Sequence, residues 1–158
     1  MNDVTVRPNR LPWPPIVYVT AIGVSVLLNV LYPLPWVGQP LSGILLVLGC
    51  LMIAAFVALN FTAMRAMRLA GTTVRPDRGT DHLVTGGPFS FTRNPLYLAG
   101  IMLVLGIGLA FGTAWFLIVG ILAAFAVQKL AIEREERHLE ARFGETYLDY
   151  ARRVRRWI

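Results

Sequence analysis

Polar and apolar positions along this chain are segregated over distances far longer than a helical turn. Leu11 to Met64 runs for 54 residues without Asp, Glu, Lys or Arg, and Asn94 to Gln128 for another 35. A membrane-crossing helix takes about 20 residues at about 1.5 Å each. The first stretch therefore holds two crossings, and the break falls where Pro33, Pro35, Gly38 and Pro40 gather. This predicts span 1 over Ile16 to Tyr32 and span 2 over Leu41 to Met64. The second stretch is long for one crossing and short for two, so hydropathy alone does not fix its count.

Charge does. Of the 15 Lys and Arg residues, two precede span 1, five lie between Arg65 and Arg93, eight lie from Lys129 onward, and none lies elsewhere. The positive-inside rule puts these three segments on one side, the cytoplasm. An even number of crossings must then separate Arg93 from Lys129. A hairpin turning at Gly112 and Thr113 meets that condition, with span 3 over Pro95 to Phe111 and span 4 over Ala114 to Ile132. The expected fold is an all-α integral membrane protein of four transmembrane helices, with both termini cytoplasmic. Span 1 is read as a span and not as a cleaved secretory signal, because a Pro-rich turn follows it in place of a small-residue cleavage site.

Beyond span 4 the sequence predicts an amphipathic C-terminal helix over 133–158. Leu139, Phe143, Tyr147, Tyr150 and Val154 step by four, four, three and four, which places them on one face. Glu140, Arg142, Asp149 and Arg152 fall opposite. Gly144 interrupts the run and marks a bend through which the last segment can fold back. The terminal cluster Arg152, Arg153, Arg155 and Arg156 reads as lipid-facing or solvated, being close to the chain end.

The connector from Arg65 to Arg93 exceeds an ordinary loop. Thr85-Gly86-Gly87-Pro88 is a turn signal, Leu83-Val84 and Phe89 to Phe91 are apolar clusters, and Arg78 and Asp81 are placed to pair across a bend. Such a segment suits a lid over the cytoplasmic face. Composition narrows the chemistry further. Cys50 is the single cysteine and sits within span 2, so no disulfide framework or thiolate site is expected, and two histidines make a zinc or iron centre an unsuitable reading. The net charge of +6 follows from topology and anionic lipid, not from nucleic acid, for which there is no basic groove interleaved with aromatics. The high arginine share with a single lysine points to a bacterial inner membrane.

Equal steps up span 3 and down span 4 return the chain near residue 132 to the depth of residue 94. Arg93 then faces the layer of Glu133, Glu135 and Glu136. A guanidinium there can hold a carboxylate or phosphate by paired hydrogen bonds, and the glutamates can accept from hydroxyls, an amine or a sulfonium-bearing ligand. A water-soluble cofactor and a lipid-like substrate meet only at this depth. Charges also belong at the ends of any membrane hairpin, Glu133 and Arg137 form an ordinary i, i+4 pair, Pro95 suits a first helical turn and Tyr97 an interfacial belt. The residue types leave both readings open. Gly100, Gly106, Gly108 and Gly112 allow close helix approach, and Asn29, Asn60 and Gln128 are amides of the kind that bridge helices.

The stretches GPFSFTRNPLYLAG and EREERHLEARFGETYLDYARRV resemble the isoprenylcysteine carboxyl methyltransferase and phospholipid methyltransferase superfamily. In that superfamily an Arg-His-Pro-x-Tyr motif precedes a hydrophobic stretch and a Glu-Glu pair. The likeness covers Leu83 to Trp157. It implies a membrane enzyme that uses S-adenosylmethionine at the cytoplasmic ends of its last spans. By motif it implies Arg93 and Glu136 as catalytic residues, and Asn94, Pro95, Tyr97, Gly100, Glu135 and Tyr147 as cofactor contacts. Asn94 departs from the motif histidine and cannot titrate near neutrality. The implied acceptor is a small lipophilic molecule or lipid, such as an isoprenylcysteine carboxylate or a phospholipid amine. An NADPH-dependent membrane reductase of steroid-reductase type and a non-catalytic membrane scaffold are the competing expectations.

Overall fold

The computed structural model describes residues 13–71 and 83–158, which are helical with short connections. Arg7, Arg10 and the proposed Arg78–Asp81 bend lie outside the described residues, as does the part of the expected lid from 72 to 82. Helix α1 runs Trp13–Leu31 and begins with Pro14 and Pro15 in its first turn, where a missing N–H leaves no helical bond unmade. It stops ahead of Pro33, whose ring disfavours helical geometry in the residue before it. Helix α2 runs Leu41–Leu69, five residues past the expected span end, and terminates at Gly71 with φ +68°. A short 3-10 turn at Gly87–Ser90 occupies the expected turn signal, with Gly87 at φ +62°.

Helix α3 spans Pro95–Phe111 and α4 spans Ala114–Val127. The hairpin between them turns at Gly112, whose left-handed φ of 66° lets the amide of Thr113 reach back to the Gly108 carbonyl at 2.8 Å. The helix that starts with α4 continues past Ile132, the expected end of span 4, as the sequence pattern beyond it predicts. A π-helical turn at Gln128–Ile132 carries it without a break into α5, Glu133–Phe143. The expected single helix over 133–158 is in fact two, because Gly144 adopts φ +52° and ψ −128° and separates α5 from α6, Glu145–Arg153. The last residues leave helical geometry at Val154, which is extended.

Three helices among the described residues are long and apolar enough to cross a membrane: Trp13–Leu31, Leu41–Leu69 and the continuous Ala114–Phe143. Helix α3, with 17 residues, is shorter, about 25 Å at 1.5 Å per residue. It is nevertheless the most enclosed, packing against α2, α4 and α1 with Ala99, Gly100, Val104, Gly106 and Gly108 buried. Close approach follows from small residues. A Cβ on Gly49 of α2 would stand 2.5 Å from the Ala110 nitrogen and 2.7 Å from the Gly106 carbonyl, so the two backbones touch there. Gly108 plays the same part towards Phe116 of α4. Asn60 does not bridge helices; its amide donates to Phe56 of its own helix. Cys50 is a free thiol, exposed on α2.

The bundle has two unlike ends. At one, the Trp115 indole donates to the Tyr32 carbonyl at 2.6 Å, and Trp36 lies against Gly112. At the other lie the start of α1, the end of α2, the start of α3 and the junction of α4 with α5. There Trp13, Val17, Tyr18, Tyr97 and Trp157 surround buried Val127, Ala131 and Ile132. Every Lys and Arg of the described residues falls at this second end or beyond it. Between the ends the outer surface is apolar and open, as at Val30, Val57, Phe61 and Phe125, each more than half exposed. Such a belt is the surface a bilayer covers.

Candidate functional site at the polar end of the bundle

The site forms where the turn before α3 meets the α4–α5 junction. Thr92, Arg93 and Asn94 precede Pro95, the first residue of α3, and Thr92 and Asn94 are buried. Opposite them the π-turn inserts an extra residue into the helix, so the Glu133 amide bonds back five residues to Gln128. An added residue rotates everything downstream by about 100° relative to an unbroken α-helix. That rotation aims Glu135 and Glu136 at the start of α3.

Two acidic side chains are consequently held in different ways. The Tyr97 hydroxyl donates to Glu135 Oε2 at 2.6 Å, while the Tyr97 carbonyl accepts from the Tyr18 hydroxyl at 2.7 Å. Glu136 sits between two guanidinium groups. Arg93 Nη1 approaches Glu136 Oε1 at 3.4 Å, and Arg156 donates from Nε to Oε1 at 3.1 Å and from Nη2 to Oε2 at 2.6 Å. The side chains of Arg93 and Glu136 are 16% and 15% exposed, so both charges are largely withdrawn from water and each depends on the other. Arg93 Nη1 also donates to the Tyr147 hydroxyl at 3.3 Å. Its Nε is buried and has no hydrogen-bond partner.

Burial and the nearby Glu136 carboxylate push the Tyr147 hydroxyl up in pKa, against the opposing pull of Arg93. Burial also pushes Tyr150 up to about 12, and its hydroxyl donates to the Phe89 carbonyl at 2.7 Å. The hydrogen bonds to Glu136 hold the Arg156 guanidinium above its ordinary pKa, so it stays charged.

The residues singled out from sequence divide into three groups. Arg93, Glu136 and Tyr147 share one hydrogen-bonded cluster, and Tyr97 with Glu135 lies beside it through the neighbouring glutamate. Asn94 is turned elsewhere: its amide donates to the Arg156 carbonyl at 2.9 Å. Pro95 is buried in the first turn of α3, and Gly100 packs against the Tyr18 ring, where a Cβ would collide. Both have structural work at these positions. Glu133 pairs with Lys129 at 2.7 Å on the surface, not with Arg137.

One participant was misread from sequence. Arg156 belongs to the terminal run expected to be lipid-facing or solvated, yet it is fixed in the cluster by its side chain and its backbone. The Arg155 carbonyl accepts from the Arg93 amide at 3.0 Å, the Arg156 carbonyl accepts from Thr92 and Asn94, and Trp157 donates to Gln128 at 3.0 Å. The aromatic Trp157 directly after two arginines was the available signal. Arg152 does remain on the surface, paired with Asp149 and Glu145. Among the described residues no group of three or more His, Cys, Asp or Glu is placed to hold a metal ion.

The sequence pattern of the phospholipid methyltransferase family matches residues 44–146, which include Arg93, both glutamates and the π-turn. The chain is 35% identical over 121 residues to the cobalt-zinc-cadmium resistance protein CzcN of Cupriavidus metallidurans, covering 75% of this chain and 51% of that one. It is 40% identical over 78 residues to the nickel-cobalt-cadmium resistance protein NccN of Alcaligenes xylosoxydans, covering 49% of this chain and 36% of that one. An uncharacterized protein of Haemophilus influenzae is 32% identical over 63 residues, which is 40% of this chain and the whole of the relative. The chain thus spans about half or less of the length of the two metal-resistance relatives. No solved structure matches.

Proposed function

The chain belongs to the phospholipid methyltransferase family, and from that premise we propose that it transfers a methyl group from S-adenosylmethionine to a small lipophilic or membrane-embedded acceptor. The observation that carries the reading is the Arg93–Glu136 pair with the Tyr97–Glu135 pair beside it, at the polar end of an apolar bundle. In this reading α3 is a fourth crossing, both termini are cytoplasmic, and the basic end of the bundle faces the cytoplasm. The setting is a bacterial inner membrane.

The donor set suits the proposed cofactor. Arg93 carries a buried Nε without a partner, an open donor for the α-carboxylate of the cofactor. Glu135, oriented by Tyr97, has a second oxygen with which to accept from a hydroxyl or ammonium group. Tyr147 steadies the Arg93 guanidinium from the α6 side. When bound, S-adenosylmethionine supplies an electrophilic methyl on a sulfonium that is already a good leaving group. The protein is therefore asked mainly to align reactants and keep water out. Arg93 binds, Glu135 orients, and Glu136, held between two arginines, is placed to orient the acceptor. Acceptors of the isoprenylcysteine carboxylate or phospholipid amine type reach this depth from the leaflet while the cofactor arrives from the cytoplasm.

A nicotinamide cofactor is a poorer match. Its 2′-phosphate asks for a cluster of available arginines such as Arg152, Arg153, Arg155 and Arg156, whereas Arg156 is engaged by Glu136, Arg152 by Asp149 and Glu145, and Arg153 by the Asp149 carbonyl.

Calorimetric binding of S-adenosylmethionine and S-adenosylhomocysteine to the detergent-purified chain tests the proposal, beside a Glu135→Ala/Glu136→Ala variant. Binding that the variant loses is the expected result. At 100 times its dissociation constant a ligand stabilises by about 2.7 kcal/mol, so a well-folded sample with no thermal shift and no heat of binding overturns the reading.

A further inference from the structure

We propose that Arg156 is a positioning residue of the site: by occupying Glu136 it keeps the Arg93 guanidinium available to an anionic ligand group. The inference rests on the methyl-donor reading for the identity of that ligand, and on geometry for the rest. Glu136 has two oxygens and two arginines to satisfy. Arg156 takes both, at 3.1 and 2.6 Å, in the two-pronged arrangement a guanidinium makes with a carboxylate. Arg93 is left with a single 3.4 Å approach to Glu136 and a bond to Tyr147, and its Nε stays open. Arg156 and Glu136 offset each other, which leaves the Arg93 guanidinium with its unpaired Nε to meet a carboxylate or phosphate. Without Arg156, Glu136 would turn both oxygens on Arg93 and neutralise the group that should meet the ligand.

The strap that brings Arg156 there is anchored at several points. Residues 92, 93 and 94 each bond to the carbonyl of Arg155 or Arg156, and Trp157 reaches Gln128 in the π-turn. It thus joins the two segments that build the site, the start of α3 and the α4–α5 junction. A displaceable plug would not need contacts to both.

The experiment uses the full chain in detergent, with S-adenosylhomocysteine as probe and hydrogen exchange of the Arg93 amide as a ligand-independent reading of the strap. Variants are Arg156→Ala, Arg156→Lys, and Arg152→Ala as a nearby surface control. Arg156→Ala should weaken probe affinity about tenfold and speed exchange at the Arg93 amide by a similar factor. Arg156→Lys, which keeps the charge and loses the fork, should recover part of the affinity, and Arg152→Ala should match the parent protein. Faster exchange with unchanged affinity would make Arg156 a structural anchor only and overturn the inference. Failure of the parent chain to bind the probe would instead remove the methyl-donor reading. In that case inorganic phosphate replaces the probe: phosphate binding that Arg156→Ala weakens about tenfold upholds the inference for another anion, and binding that is absent or equal in the two proteins overturns it.

Discussion

The Tyr97 hydroxyl lies 2.6 Å from Glu135 Oε2, tying the first turn of α3 to a carboxylate 38 residues further along the chain. The bond turns two separate sequence signals, an aromatic at a helix start and an acid in a charged run, into one object. A side-chain hydrogen bond contributes about 0.5 to 1.5 kcal/mol net. Tyr97→Phe should therefore lower stability by about 1 kcal/mol and weaken methyl-donor binding, both measured on the detergent-solubilised chain by denaturant titration and calorimetry. Unchanged donor binding would leave the pair a helix fastener alone.

The two ends of the acidic run predict opposite behaviour. Glu136 lies between Arg93 and Arg156, largely shielded from water, while Glu133 makes an exposed pair with Lys129. Glu136→Gln should abolish methyl transfer and reduce stability by about 2 kcal/mol, less than a fully buried pair because Arg156 keeps a third of its side chain exposed. Donor binding should persist, since Arg93 remains. Glu133→Gln should change neither activity nor stability beyond error, because exposed ion pairs on a helix contribute little. Turnover and melting of the two variants side by side check the contrast.

The α2–α3 contact makes a purely steric prediction. With backbone atoms of Ala110 and Gly106 within 2.7 Å of where a Cβ would stand, Gly49→Ala must push the helices apart. Overpacking of this kind costs about 1 to 3 kcal/mol, and reversible unfolding in mixed micelles should register it. Gly23→Ala, where nothing lies within 4 Å of the added carbon, should be tolerated.

Alkaline titration should report the fold of the C-terminal segment. Tyr150 ionises near 10 in an unfolded chain and at about 12 in the folded one, because burial disfavours the phenolate. The raised folded value means that its contribution to stability is complete below pH 10 and is lost as pH rises through 12. Tyrosinate absorbance should show a late-ionising component that Tyr150→Phe reduces by one residue's worth, and the variant's stability should fall less steeply over that window.

Much of the architecture is legible in order and composition alone. Uncharged runs bounded by Pro33, Pro35, Pro40 and Gly112 mark where α1 through α4 begin and turn, because membrane-length apolarity and helix-breaking residues are local properties of the chain. The return of the hairpin to its starting depth likewise places Arg93 level with the glutamates by counting residues. Counting reaches no further than depth. Which glutamate meets Arg93 depends on the extra residue in the π-turn at Gln128–Ile132, which no hydrophobic period marks. Arg156 looked free from sequence because a terminal run of arginines has no local reason to be ordered. Its place was decided by the left-handed bend at Gly144, by the carbonyls that Arg155 and Arg156 offer to residues 92–94, and by the one carboxylate within reach that had two oxygens to share. Local pattern determines helices and their ends, whereas contacts between residues twenty to sixty positions apart exist only once those helices have packed.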